Sequence, residues 1–156
     1  MILNYGNTNL INSLISYWKF EGNSNDVFND YNGIDTNINY ISGKINQAAS
    51  FNGLNSYISI NNFNFGNSNF SFSFWLKRDS INSRQLIFGD SNIDGNPNFL
   101  SFAAEFTVDN LFRIFFVGND LIVYTFVTTT TFTDATNWHY FTIVRNLTNV
   151  SLYVDS

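Results

Sequence analysis

The stretch "NFSFSFWLK" at residues 69–77 alternates without a break, with Phe70, Phe72, Phe74 and Leu76 on one side of an extended chain and Ser71, Ser73, Trp75 and Lys77 on the other. Only a strand has a side-chain period of two, so this run buries its apolar row as one strand of a sheet with a core side. Comparable runs recur at "ISYWKF", "QAASF", "NSYISI", "RQLIFG", "NFLSFAAEF", "LFRIFFVG", "LIVYTFV", "WHYFTIVR" and "VSLYVDS". Between them stand "NGLN", "FGNSN", "DSNIDGNP", "VGNDL" and "RNLTN", clusters whose Gly, Asn and Asp supply turn conformations. About ten strands at this spacing predict a sandwich or barrel. No window repeats its apolar residues at i, i+3, i+4 and i+7 between caps, so no helix longer than a turn or two is expected.

Composition agrees. Phe, Tyr and Trp reach 19% and there is one Pro, while Ala, Leu, Glu and Lys are scarce. A length of 156 residues suits a single domain. The arm 1–14 is expected to attach loosely, with the domain over 15–156. Gly118 and Asn119 in "VGND" suit a tight hairpin, and "TTTTFTDATNW" reads as a polar bridge with β propensity.

Several function classes drop out. Charged residues are 12% of the chain and the net charge is -5, which leaves no basic stripe for phosphates or anionic lipid, so nucleic acid is not expected as a partner. No apolar run approaches the ~20 residues of a membrane span, so no membrane insertion is expected. The opening "MILNYGNTNLINSLIS" lacks the basic start and unbroken apolar core of a signal peptide. With no Cys there is no disulfide and no thiolate chemistry.

Four segments in order resemble one family. "LISYWKFEGNSNDVFNDYNG" is similar to its opening strand and Asn/Asp/Gly loop, "GKINQAASFNGLNSYISI" to its Gly-Lys, Ala-x-x-Phe-x-Gly and Tyr-x-x-Ile stretch, "FSFSFWLKRDS" to its third signature, and "NWHYFTIVRN…VSLYVDS" to its Trp-His strand with a Tyr-Val-Asp partner. Together they resemble the laminin G-like domains of the concanavalin A-like lectin/glucanase group. The resemblance implies an all-β, two-sheet antiparallel jelly-roll sandwich. It also implies sugar or protein binding, or service as a spacer or fibre subunit, in an extracellular, cell-surface or virion-surface setting. The family pattern continues past Tyr-Val-Asp with further strands, and here Ser156 stands where Gly is usual. The fold therefore reads as lacking its last strands. Either a partner or second copy donates a strand beside "LISYWKF", giving a homo-oligomer or a hetero-complex, or the chain is part of a longer product.

Candidate chemistry is sparse. A retaining glycosidase needs two carboxylates about 5 to 5.5 Å apart. This chain has only Glu21 and Glu105, on separate expected segments, so an enzyme is not expected. His139 is the one His, which excludes multi-His zinc sites, and no Gly-x-Ser-x-Gly elbow gives it a serine to activate. Trp75 and Tyr153 lie on the polar sides of their strands, where aromatic faces suit sugar rings. With His139 they form the candidate glycan-binding set, for a glycan or a surface glycoprotein. Asp26 and Asp30 in "GNSNDVFNDYNG" bring hard oxygens suited to calcium, and Asp26 stands where the resembling domains place a calcium-holding loop Asp. Asp90, Asn92 and Asp94 before Gly95 match half of an EF-hand loop, but Ser101 stands where its Glu belongs.

Overall fold

The computed structural model describes residues 13–63, 69–89, 102–117, 122–146 and 149–156, and these hold strands and turns without a helix. The hairpin expected at Gly118 and Asn119, the loop from Asp90 to Gly95 and most of the arm 1–14 lie outside the described residues. The chain divides into two compact units, Met1–Phe63 and Asn64–Ser156.

In the first unit, β1 (Gly33–Thr36) pairs antiparallel with β4 (Tyr57–Ile60), and β2 (Asn39–Ser42) with β3 (Gln47–Ser50). The expected opening strand "ISYWKF" reduces to a single bridge between Trp18 and Asp26. The reason is local. Tyr17 spends its N–H on Asp26 Oδ1 at 2.8 Å, and Phe20, at a φ of 58°, leaves the extended path. Strands β1 and β2 fall outside the alternating runs quoted above, because four residues apiece are too few to display alternation. Gly33 is obligatory, since a Cβ there would lie 2.6 Å from Ser24 Oγ and from the Ile58 side chain.

The second unit is an antiparallel sandwich. One sheet has three strands in the order β11 (Asn149–Val154), β10 (His139–Asn146), β5 (Phe70–Leu76). The other has four, in the order β6 (Gln85–Gly89), β7 (Phe102–Phe106), β8 (Leu111–Val117), β9 (Val123–Thr131). Thus the two-sheet, all-β architecture is present, and the Phe row of β5 faces inward as its alternation requires. Phe70, Phe74 and Leu76 pack on a buried cluster formed by Phe102, Ala104, Phe106, Phe112, Ile114 and Phe116 from the four-stranded sheet and Phe141 and Ile143 from β10.

Phe141 is the junction of this core. Its ring stacks on Phe74 at 5.6 Å and on Phe112 at 5.2 Å, and meets the edges of Phe106 at 6.0 Å. It therefore links its own sheet to the opposite one. Strand β7 is buried on both faces: Phe102, Ala104 and Phe106 enter the core, while Ala103 and Glu105 lie opposite. Glu105 carries its charge there because Arg84 Nε reaches one carboxylate oxygen at 2.7 Å and Arg113 Nε the other at 2.8 Å.

Replacing Phe141 by Ala is expected to cost about 3–5 kcal/mol, because it removes a buried ring that neighbours from two sheets cannot collapse to fill. Urea unfolding of wild type and Phe141→Ala measures the difference, and Phe141→Leu should lose distinctly less.

Candidate functional site

The strand register lays out the outward face of the three-stranded sheet as rows. Trp75 pairs with Tyr140, and the Asp155 N–H donates to the Tyr140 carbonyl at 2.9 Å, so these three form one row. Ser73, Thr142 and Tyr153 form the next, and Ser71, Val144 and Ser151 the third. Cross-strand neighbours on one face sit close enough for side chains to touch. The Trp75 and Tyr140 rings meet at 5.1 Å, tilted by 49°, and the hydroxyls of Ser73 and Thr142 are 3.0 Å apart. Trp75 is 38% exposed and Tyr153 51%, so each offers a ring face to solvent at opposite edges of the sheet. The face combines aromatic surfaces with a central band of hydroxyls.

His139 begins β10 in register with Leu76, on the inward side of the same end of the sheet. Its Nδ1 lies 2.7 Å from Asp155 Oδ2, and its Nε2 lies 3.4 Å from Asp134 Oδ2. Asp155 also accepts the Tyr140 N–H at 2.9 Å, so one carboxylate ties the imidazole to the aromatic row. The hydrogen bond from Asp155 raises the His139 pKa above its ordinary value, partial burial opposes this, and the charges of Asp155 and Asp134 add to the rise. Asp134 is held well below the usual carboxylate range, first by the Asn137 side-chain amide at 2.7 Å and then by the Thr136 N–H at 2.7 Å and hydroxyl at 2.8 Å.

Behind His139 the sandwich end opens into a cavity of about 210 Å³, walled by Phe106, Phe132 and Phe141 and reached by Arg78. Arg78 is buried, and it donates to Gln85 Oε1 at 2.6 Å, the Phe132 carbonyl at 2.6 Å and Asn110 Oδ1 at 3.2 Å. Asn110, at a φ of 62°, gives its carbonyl to the Phe132 N–H and its side-chain amide to Asn82. These bonds draw the loops after β5, β7 and β9 together at one end.

The Asp26–Asp30 loop belongs to the first unit. Asp26 is 2% exposed, and its Oδ1 accepts the Tyr17 N–H at 2.8 Å while Oδ2 accepts those of Asp30 and Tyr31, each at 3.3 Å. Burial alone would raise its pKa, yet the hydrogen bonds it accepts, with that of the Tyr17 N–H foremost, outweigh burial and leave it lowered. Both oxygens thus face N–H donors, whose positive ends disfavour an adjacent cation. Among the described residues no group of three His, Cys, Asp or Glu side chains assembles that could hold a metal ion. The arrangement fits a carboxylate that folds its own loop.

A laminin G-like family model, described as the concanavalin A-like lectin/glucanases superfamily, matches residues 51–156. The chain belongs to this superfamily. No curated protein and no solved structure matches it. The superfamily match begins at Phe51, takes in β4 and covers the whole second unit, and so includes Trp75, His139 and Tyr153.

The structure therefore places Trp75 and Tyr153 on one outward face and His139 at its end, with Asp26 and Asp30 in the other unit. Sequence reading missed Tyr140, Thr142 and Asp155 as parts of that face. Alternation in "WHYFTIVR" sets Tyr140 and Thr142 opposite Phe141, but only the strand register shows that Tyr140 meets Trp75. Arg78 gave no signal, because it lies just past the alternating run.

The raised His139 pKa has a definite sign. Protonation favours the folded state, so the contribution is fully present below the unfolded value of about 6.5 and is lost as pH rises through the folded value. Stability should therefore fall from pH 6 toward alkaline pH more steeply in wild type than in His139→Gln. Urea titrations across this range check the difference, and the C2–H proton NMR signal of the only His should titrate above about 6.5.

Proposed function

We propose that this chain is a non-catalytic binding module that recognises glycans through the outward face of the β5–β10–β11 sheet. The observation that carries the reading is the pairing of Trp75 with Tyr140 and the exposed Tyr153 across a band of Ser and Thr hydroxyls. Sugar rings present apolar C–H faces and hydroxyl edges together, and aromatic faces beside neutral donors and acceptors match both. Neutral polar groups suit such a ligand in a chain of low charge. A non-catalytic role is supported by Glu105, one of two Glu in the chain, which is fully buried between Arg84 and Arg113. The partner this implies is a glycan or surface glycoprotein, met outside a cell or at a virion surface.

A glycan array probed with the full chain tests the proposal. Wild type should bind a defined set of saccharides, and Trp75→Ala and Tyr153→Ala should each weaken binding by about tenfold, since a ring contact is worth about 1 kcal/mol beyond its area. Thermal melts of the variants should stay near wild type because both side chains are exposed. An array without binding, or variants that bind as wild type does, would count against the reading.

A second reading, assembly through strand pairing, has its own observation. Among the described residues β9 is the outer strand of its sheet, runs for nine residues and contains neither a charge nor Pro. Natural edge strands are ordinarily guarded by such residues. Beside it, an opening of about 400 Å³ between β9 and β11 is lined by Phe112, Ile114, Phe126, Val150 and Leu152. On this reading a second copy would pair along β9, and sedimentation would show a dimer that Thr125→Lys disperses. A monomer at every concentration would remove it.

A further inference from the structure

The four arginines are treated unequally by the fold. Arg84 and Arg113 share the carboxylate of Glu105. Arg78 is only 6% exposed, yet among the described residues no carboxylate lies within 4.0 Å of it. Its bonds to Gln85, Phe132 and Asn110 use neutral oxygens. They account for three of the five N–H donors of a guanidinium, leaving one on each Nη. The guanidinium carbon sits 4.2 Å from the centroid of the Phe106 ring, a favourable contact that does not cancel its charge. A buried cation without an anion is costly, and the cost is met when an anion arrives.

The space beside it suits one. The cavity of about 210 Å³ has the rings of Phe106, Phe132 and Phe141 for walls. Asp134 and His139 stand at its rim, and Asp134 is already engaged by Thr136, Asn137 and His139. An entering anion thus passes a carboxylate hydrogen-bonded by Thr136 and Asn137 and facing His139, then meets apolar walls and the guanidinium.

We propose that this end cavity binds a small organic carboxylate, its oxygens on the two remaining N–H groups of Arg78 and its apolar body among the three Phe rings. The two donors, one on each Nη, match a carboxylate's two oxygens, the geometry for which arginine is suited and lysine is not. The site is separate from the outward aromatic face and does not depend on glycan binding there.

The test uses the full chain labelled with ¹⁵N, following the Arg Nε–Hε NMR signals while sodium benzoate is added, with benzamide as the neutral counterpart of similar shape. Benzoate should move the Arg78 signal saturably and leave those of Arg84 and Arg113 in place. Benzamide should bind at least about tenfold more weakly, the factor expected when a charge-assisted hydrogen bond becomes a neutral one. Arg78→Lys should lose at least the same factor for benzoate. Should that variant fail to fold, the benzoate and benzamide contrast in wild type decides alone. An Arg78 signal that does not move, that moves equally with benzamide, or that moves only in step with every other arginine would overturn the proposal.

Discussion

The second unit depends on the ring of Phe141. It is the place where the three-stranded sheet grips the four-stranded one, through stacking on Phe74 within its own sheet and on Phe112 across the core. Two features follow from that grip. It holds β10 at a fixed height, which places Tyr140 beside Trp75 on the outward face and His139 beside Asp155 at the strand's start. It also leaves one edge of the ring at the end cavity, where Phe106 and Phe132 join it. The outward face and the cavity are thus neighbouring consequences of one packing contact.

Much of this fold was legible because alternation was strong where the sheets are two-sided. In β5 and β10 the apolar and polar rows separate cleanly, and the structure turns them inward and outward as period two demands. Legibility failed in the first unit for a different reason. There, side chains compete with the ladder: Asp26 takes the Tyr17 N–H that a strand partner would need, and "ISYWKF", which alternates well enough, forms one bridge. A hydrophobic pattern states which residues prefer burial, but it does not state which hydrogen bond the backbone takes. Strands as short as β1 and β2 owe their existence to pairing partners, not to pattern.

The candidate face was half legible. Trp75 and Tyr153 could be placed on polar sides of strands from their own neighbours, since that inference needs one strand at a time. Their arrangement around Thr142, and the join of Trp75 to Tyr140, need the register among three strands that are distant in the chain. His139 shows the same limit: its position at a strand start was readable, whereas its two carboxylate neighbours come from separate loops. The abundance of Asn has a structural use as well. Asn29, Asn37, Asn46, Asn62, Asn82 and Asn110 all take positive φ, a conformation that Asn tolerates better than most residues.

In a chain with so few charges, how each buried one is satisfied indicates what its site is for. Glu105 is closed from both sides by arginines, and Asp26 is closed by backbone N–H groups of its own loop. Both are held by partners within the fold and act as staples. Arg78 is different in kind. Its neutral acceptors orient the guanidinium and bind three loops together, but they return no negative charge, and a cavity meets it on the remaining side. The retained charge is what separates a structural bond set from a receptive one, and it marks this end of the sandwich as the place where the fold is chemically unfinished.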